Sequence, residues 1–301
     1  MSEDFRELRF RAQDDVEIFV RDYGDPDSAH VPALCLSGLT RNSKDFRDLA
    51  PHLAANGRRV LAMDYRGRGQ SGYDPNWRNY TPQAYVADVL QLLAVAGLHR
   101  VGVVGTSLGG LVAMGLGAAQ PASLAGVVLN DIGPEIAASG AGRIADYVGK
   151  PVVLSDLAAG AALQKESYTA AYPDLDDAGW LWMAEGTYRQ RPDGQVELDY
   201  DLKLGDAVRE SVKGGSPNLW PLFDALAHVP VLVIRGALSD VLSAETLTQM
   251  QTRRQEQGLP LETVVLANRG HVPLLNEAPA LDAIDRFFAG LDTGHQSGSA
   301  G

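Results

Sequence analysis

Cysteine is almost missing from this chain. Cys35 is the only one in 301 residues, which excludes an intrachain disulfide and a zinc site built from several thiolates. It lies in the apolar run "ALCL", where a lone thiol serves as a small core side chain. Positive charge is also scarce: 26 Lys and Arg stand against 38 Asp and Glu, a net charge of −12. Such a surface repels nucleic-acid phosphates and anionic lipid, so neither is an expected partner. No apolar run approaches bilayer-spanning length, and "MSEDFRELRF" at the amino end lacks the apolar stretch of a secretory signal. The expectation is a soluble, cytoplasmic protein without a membrane partner, with monomer and homodimer both open. What the chain does have is 45% apolar residues, enough for a large core in one big α/β domain or two small ones.

Strand-like and helix-like segments alternate. "ELRFRA" and "VEIFVRDYG" read as an antiparallel pair at one edge of a sheet. They are followed by "VPALCLSG", "RRVLAMDYRG", "VGVVG", "LAGVVLNDIG", "VPVLVIRG" and "LETVVLANRG". These short, nearly continuous apolar runs have the pattern of parallel strands covered on both faces. Between them lie helical patterns, among them "TPQAYVADVLQLLAVAG", with Thr81 as N-cap, Pro82 in the first turn and Gly97 as the stop. The alternation predicts a mostly parallel, doubly wound sheet. The region 134–216 breaks this rhythm and reads as several helices inserted as a cap. Its aromatics (Tyr147, Tyr168, Tyr172, Trp180, Trp182, Tyr188, Tyr200) are expected to form mainly cap core, with Trp182 as a candidate substrate contact. The core is then expected over 1–133 and 217–291. The small, polar end 292–301 is expected to be disordered.

The stretch "VGVVGTSLGG" carries the chemistry. Gly105-Thr-Ser-Leu-Gly109 fits G-x-S-x-G between an apolar strand and a helix, the context that gives this pattern meaning. A strand that turns straight into a helix strains the turn residue, and its neighbours two positions away must lack bulk. Such a turn lifts the Ser107 hydroxyl off the sheet and aims a helix N-terminus at whatever it attacks. The plain alternative is an N-cap serine in a glycine-rich turn, which the strand-to-helix context disfavours.

A serine needs a base. Of six histidines, only His271 follows a late strand and precedes the last helix, at the same sheet edge as Ser107. The imidazole needs a carboxylate in turn. Asp240 in "VLVIRGALSDVLS" completes the chain order Ser, Asp, His and is preferred; Asp131 in "VVLNDIGPE", at the end of the preceding strand, is the rival, its other reading being a cap at the entry to the insertion or a substrate contact lining the pocket. The oxyanion is expected to bind the backbone N–H of Leu108 and that of Leu39 in the loop "LSGLTRN", which Gly38 allows to approach. Arg41 has two readings: an anchor for a substrate carboxylate, or the salt-bridged loop residue that most arginines are.

With these parts in place, the chain resembles the α/β-hydrolase superfamily along most of its length, through "SGLTRNSKDF", "MDYRGRGQSG", "VVGTSLGGLVA", "VIRGALSDVLS" and "NRGHVPLLNEAP". The resemblance implies an eight-stranded α/β-hydrolase fold with a cap inserted after the sixth strand. It also implies that Asp64 and Arg66 brace the loop after the fourth strand. The branches it is similar to are carboxylesterases, enol-lactonases and C–C hydrolases of ring-cleavage products. Ser37 stands where the superfamily commonly has histidine, and "GHVPLLNE" lacks the aromatic that many C–C hydrolases carry after the catalytic histidine. Haloalkane dehalogenases and epoxide hydrolases use an aspartate where this chain has Ser107. The expected activity is hydrolysis of a small carboxylic ester or lactone through an acyl-enzyme, with water as second substrate and no metal or organic cofactor. C–C bond hydrolysis and a ligand-binding receptor on the same fold are the alternatives.

Overall fold

Apolar runs dominated by Val, Leu and Ala become the centre of one twisted sheet because both of its faces are covered. The computed structural model describes residues 4–213 and 218–298. The strands before the insertion are β1 (Arg6–Arg11), β2 (Glu17–Tyr23), β3 (Ala33–Leu36), β4 (Val60–Met63), β5 (Val101–Thr106) and β6 (Leu124–Asn130). Three short strands follow, β7 (Val153–Leu154), β8 (Tyr188–Gln190) and β9 (Val196–Leu198), and then β10 (Val231–Gly236) and β11 (Leu261–Leu266). Eight of them form the sheet in the order β1-β2-β4-β3-β5-β6-β10-β11. β2 pairs antiparallel with both β1 and β4, and the remaining neighbours are parallel. Every residue of β3, β4, β5, β6 and β10 is buried. Cys35 lies fully buried in β3, where burial pushes its thiol pKa far up.

Helices close both faces. On one side α1 (Leu49–Ala55) and α10 (Ala278–Gly298) share a core with Ala33, Val104 and Ile234. On the other, α2 (Pro82–Val95), α3 (Leu108–Ala119), α8 (Trp220–Asp224) and α9 (Ala244–Glu256) pack around Val103, Leu129 and Val233. Thr81 caps α2 by accepting the Ala84 N–H at 3.3 Å, with Pro82 as its first residue. Two glycines in the sheet let α10 dock closely: a Cβ on Gly102 would lie 2.4 Å from the Phe288 ring, and one on Gly126 would lie 2.8 Å from Leu291.

Between β6 and β10 the chain builds α4 (Ala138–Tyr147), α5 (Leu157–Tyr168), α6 (Asp177–Thr187) and α7 (Leu204–Lys213). The helical reading of this region is incomplete, because β7, β9 and β8 form a small antiparallel sheet beside the helices. Strands of two or three residues are too short for an alternating pattern to show. The only local sign is the turn at Gly194 (φ 85°) in "RPDGQ". The expected boundary at 217 lies outside the described residues. The expectation of disorder from 292 is corrected as far as 298. α10 runs on to Gly298, and Asp292 accepts hydrogen bonds from Arg58 Nη2 at 2.7 Å, His30 Nδ1 at 2.9 Å and the Val31 N–H at 2.8 Å. Residues 299–301 lie outside the described part. Among the described residues no helix is long and apolar enough to cross a membrane.

Two charged residues hold the loop after β4. Asp64 is buried and accepts the Ser43 N–H at 2.6 Å and the Gln70 N–H at 2.8 Å. Arg66, also buried, donates to Asp88 at 2.6 and 2.8 Å, to Asp74 at 2.7 Å and to Asp14 at 2.5 and 3.0 Å. Removing one partner from such a cluster strands the opposite charges in a poor solvent. Arg66→Ala is expected to lower the unfolding free energy by about 3–5 kcal/mol, read from urea denaturation.

Candidate active site

β5 ends and α3 begins with one residue between them, and that residue is Ser107. Its backbone is held at φ 51°, ψ −113°, a strained conformation for a residue with a side chain. Two contacts explain why glycine flanks it. A Cβ on Gly105 would meet the Gly109 backbone at 2.5 Å, and one on Gly109 would lie 2.0 Å from the carbonyl oxygen of Leu36. The turn is anchored from β6: the Ser107 N–H donates to the Asn130 carbonyl at 3.0 Å.

Asn130 does more than accept that bond. Its side-chain amide donates to Thr106 Oγ1 and to the Pro273 carbonyl, both at 3.0 Å. One fully buried side chain thus ties the end of β5 to the loop that carries His271. His271 Nε2 lies 2.9 Å from Ser107 Oγ, and His271 Nδ1 lies 2.8 Å from Asp131 Oδ2. Asp131 is fully buried at φ 56° and also accepts the Gly236 N–H at 2.9 Å and the Ser239 hydroxyl at 2.5 Å. The Ser239 oxygen itself receives the N–H groups of Val241 and Leu242, at 3.2 and 3.1 Å. Its own proton is thereby directed to the carboxylate. Asp131 then acts purely as an acceptor, Nδ1 carries the imidazole proton, and Nε2 is left to accept from Ser107.

This corrects the preference for Asp240. The carboxylate on the imidazole is Asp131. Asp240 accepts Arg143 Nε and Nη2, at 2.7 and 2.8 Å. The Arg143 guanidinium beside Asp240 holds its carboxyl below the usual range. Both acids sit at the correct edge, just past neighbouring strands. What separates them is backbone direction: the positive φ at Asp131 turns its side chain under the histidine loop.

Above the serine lies a cavity of about 340 Å³, within the range of small-molecule sites. The sheet side contributes Gly38, Leu39, Arg41, Ser107 and His271, and the insertion contributes Arg143, Lys150, Gln164, Met183 and most of the aromatics. Those aromatics do pack in hydrophobic clusters, Tyr172 and Trp180 with Tyr168 and Trp182, and Tyr188 in another, but most of them also face the cavity. Tyr147, Tyr168, Tyr172, Trp182, Tyr188 and Tyr200 all line the cavity, while Trp180 packs edge-on behind Tyr172 at 6.2 Å. Trp182 also carries Arg47 stacked over its ring at 4.0 Å.

Arg41 lines the cavity with its charge already spent. It donates to Asp45 through Nε at 2.9 Å and Nη2 at 2.5 Å, and it also bonds Thr187. The salt-bridge reading holds. Near Ser107, Gly38 comes so close that a Cβ there would lie 3.8 Å from that of the serine. The Gly38 carbonyl accepts the Arg41 N–H at 3.2 Å, so the trans peptide points the Leu39 N–H the opposite way. Arg68, fully buried, fixes the next peptide by donating to the Leu39 carbonyl at 2.9 Å. Leu108 opens α3, where N–H groups have no acceptor within the helix. Asn130, Ser239 and Arg68 were not singled out in the sequence. Asn130 had one signal, its position between a buried strand and the acid Asp131. Among the described residues no group of three or more His, Cys, Asp or Glu is arranged to hold a metal ion.

The sheet order, the serine elbow and its hydrogen-bonded imidazole together define a hydrolase architecture, and the chain belongs to the alpha/beta hydrolase family, whose sequence model matches residues 33–283. Among particular relatives, it is 32% identical over 276 residues to a 3-hydroxybutyrate-oligomer hydrolase of Cupriavidus necator, covering 89% of this chain and 92% of that one. It is 34% identical over 161 residues to a lipase of Mycobacterium tuberculosis, covering 54% of this chain and 58% of the lipase. A crystal structure of an alpha/beta hydrolase from Novosphingobium aromaticivorans superposes with a TM-score of 0.88 at 40% identity, over 96% of this chain and 99% of that one.

The elbow's packing is testable apart from chemistry. Gly109→Ala drives a methyl into the Leu36 carbonyl and is expected to cost about 1–3 kcal/mol, as overpacking does. Gly290→Ala, with open space on α10, is expected to add about 0.4–1 kcal/mol. Calorimetry should show melting temperatures moving in opposite directions.

Proposed function

We propose that the protein is a serine esterase that cleaves a small carboxylic ester or lactone through an acyl-enzyme. The observation that carries this reading is the unbroken relay from Ser107 Oγ through His271 to Asp131 at the floor of a cavity. His271 Nε2 takes the Ser107 proton as the oxygen attacks the substrate carbonyl. The Leu108 and Leu39 N–H groups bind the oxyanion, helped by the positive end of α3. His271 then protonates the leaving alcohol and next activates water to release the acid. Asp131 keeps the proton on Nδ1 and stabilises the imidazolium.

The relative that acts on 3-hydroxybutyrate oligomers supports an ester whose far end is a carboxylate. The cavity wall suits such a substrate. Of its cations, Arg41 is bound to Asp45 and Arg143 to Asp240, whereas Lys150 is exposed and makes no ion pair among the described residues. Lys150 is therefore assigned as the contact for that carboxylate.

Three experiments test these readings. A fluorophosphonate should label Ser107, and Ser107→Ala should take no label. On p-nitrophenyl butyrate, Asp131→Asn should lower kcat by roughly 10⁴-fold, as loss of the correct tautomer does, and Asp240→Asn by less than about tenfold, as it weakens the ion pair with Arg143 and leaves the imidazole's carboxylate in place. A larger effect at Asp240 refutes the assignment. Separately, Lys150→Ala should raise KM for a 3-hydroxybutyrate dimer by roughly three- to tenfold, the range of a partly exposed charge contact. KM for the methyl ester of the same dimer should not change; equal effects on both would remove Lys150 from carboxylate binding.

A further inference from the structure

The loop bearing His271 is gripped on both sides by one short segment of the insertion. The Gly270 N–H donates to the Ala171 carbonyl at 2.7 Å. On the other side of the histidine, the Tyr172 hydroxyl accepts the Val272 N–H and donates to the Val272 carbonyl, both at 2.8 Å. The fit is close: a Cβ on Gly270 would lie 2.6 Å from that of Ala171. Asp174 extends the grip outward, accepting from Arg269 and, at 3.2 Å, from Asn268.

We infer that Tyr172 is a positioning residue for the catalytic base: its hydroxyl satisfies both backbone groups of Val272 and so sets where His271 stands relative to Ser107. The inference rests on the serine-hydrolase reading of the site. Its physical basis is that the phenol has one proton and accepting lone pairs, which is what a paired N–H and carbonyl require. Tyr172 is buried, so both backbone groups lose their partner, with little water to replace it, if the hydroxyl is removed. The imidazole belongs to the residue that immediately precedes that backbone. A displacement of about an ångström at a catalytic group costs on the order of a hundredfold in rate. The insertion thereby does more than shape the cavity.

Tyr172→Phe keeps the ring that lines the cavity and removes only the hydroxyl. It is expected to lower kcat by roughly ten- to a hundredfold with KM nearly unchanged, and to slow fluorophosphonate labelling of Ser107 by the same factor. In a His271→Ala background the same change should cost nothing further, because a residue acting through the histidine has no effect once it is gone. Wild-type protein that takes no label overturns the serine-hydrolase reading and this inference with it. Labelled wild type with Tyr172→Phe labelled within twofold of it, or an equal loss in the His271→Ala background, overturns this inference alone. If Tyr172→Phe does not fold, Asp174→Asn reads the exposed side of the same grip. Labelling slowed several-fold supports the inference, and an unchanged rate overturns it.

Discussion

The site hangs on the end of one buried strand, where Asn130 and Asp131 stand in sequence. The Asn130 carbonyl holds the amide of Ser107, and its side chain holds both Thr106 and the loop after His271. The next residue turns with a positive φ and presents its carboxylate to the imidazole. Three segments far apart in the chain therefore share one pair of neighbouring residues as their common support. Parallel strands make this economical, because their carboxyl ends lie side by side and each loop leaves from the same edge. The strain at Ser107 persists because these bonds, together with the close contact of Gly109 on Leu36, leave the turn no alternative conformation.

The insertion supplies what the sheet alone does not. Without it the serine would lie on an open rim in contact with water. With it, tyrosines and a tryptophan wall a cavity whose floor is polar and whose sides are mostly apolar. Such walls exclude water while their hydroxyls remain able to orient a polar substrate. Burial pushes the Tyr172 hydroxyl's pKa upward, so it stays protonated and can keep donating to Val272. The same enclosure strengthens any interaction with charge that develops at the carbonyl.

Several charges that suggest function turn out to be occupied. Arg41 is matched by Asp45, Arg143 by Asp240, and Arg66 by three carboxylates of which two are buried. The pairing removes the anchoring role considered for Arg41, and the three pairings share one physical reason. A partly desolvated cation needs a counter-ion or a set of hydrogen-bond acceptors in place of its lost water. In a chain with a net charge of −12, almost every cation near the site finds an acid. Lys150 lines the cavity with no ion pair among the described residues.

How much of this was legible in the residues follows from the range of the forces involved. The sheet strands, the Thr81 cap, the glycines around Ser107 and the late loop placing His271 were all readable, because burial, capping and steric clearance act over a few neighbours. The small sheet β7-β9-β8 and the helical course of residues 292–298 were not, since strands of two or three residues carry no period and Asp292 is held by Arg58 and His30 from far away. The choice between Asp131 and Asp240 lay in the same class. By itself the sequence determined that a serine, a histidine and an acid would meet at one sheet edge, because local patterns decide which residues end each strand. Only the tertiary structure decided which acid meets the histidine, and which residue of the insertion bonds the loop beside it, because that depends on side-chain direction and on hydrogen bonds between segments about a hundred residues or more apart.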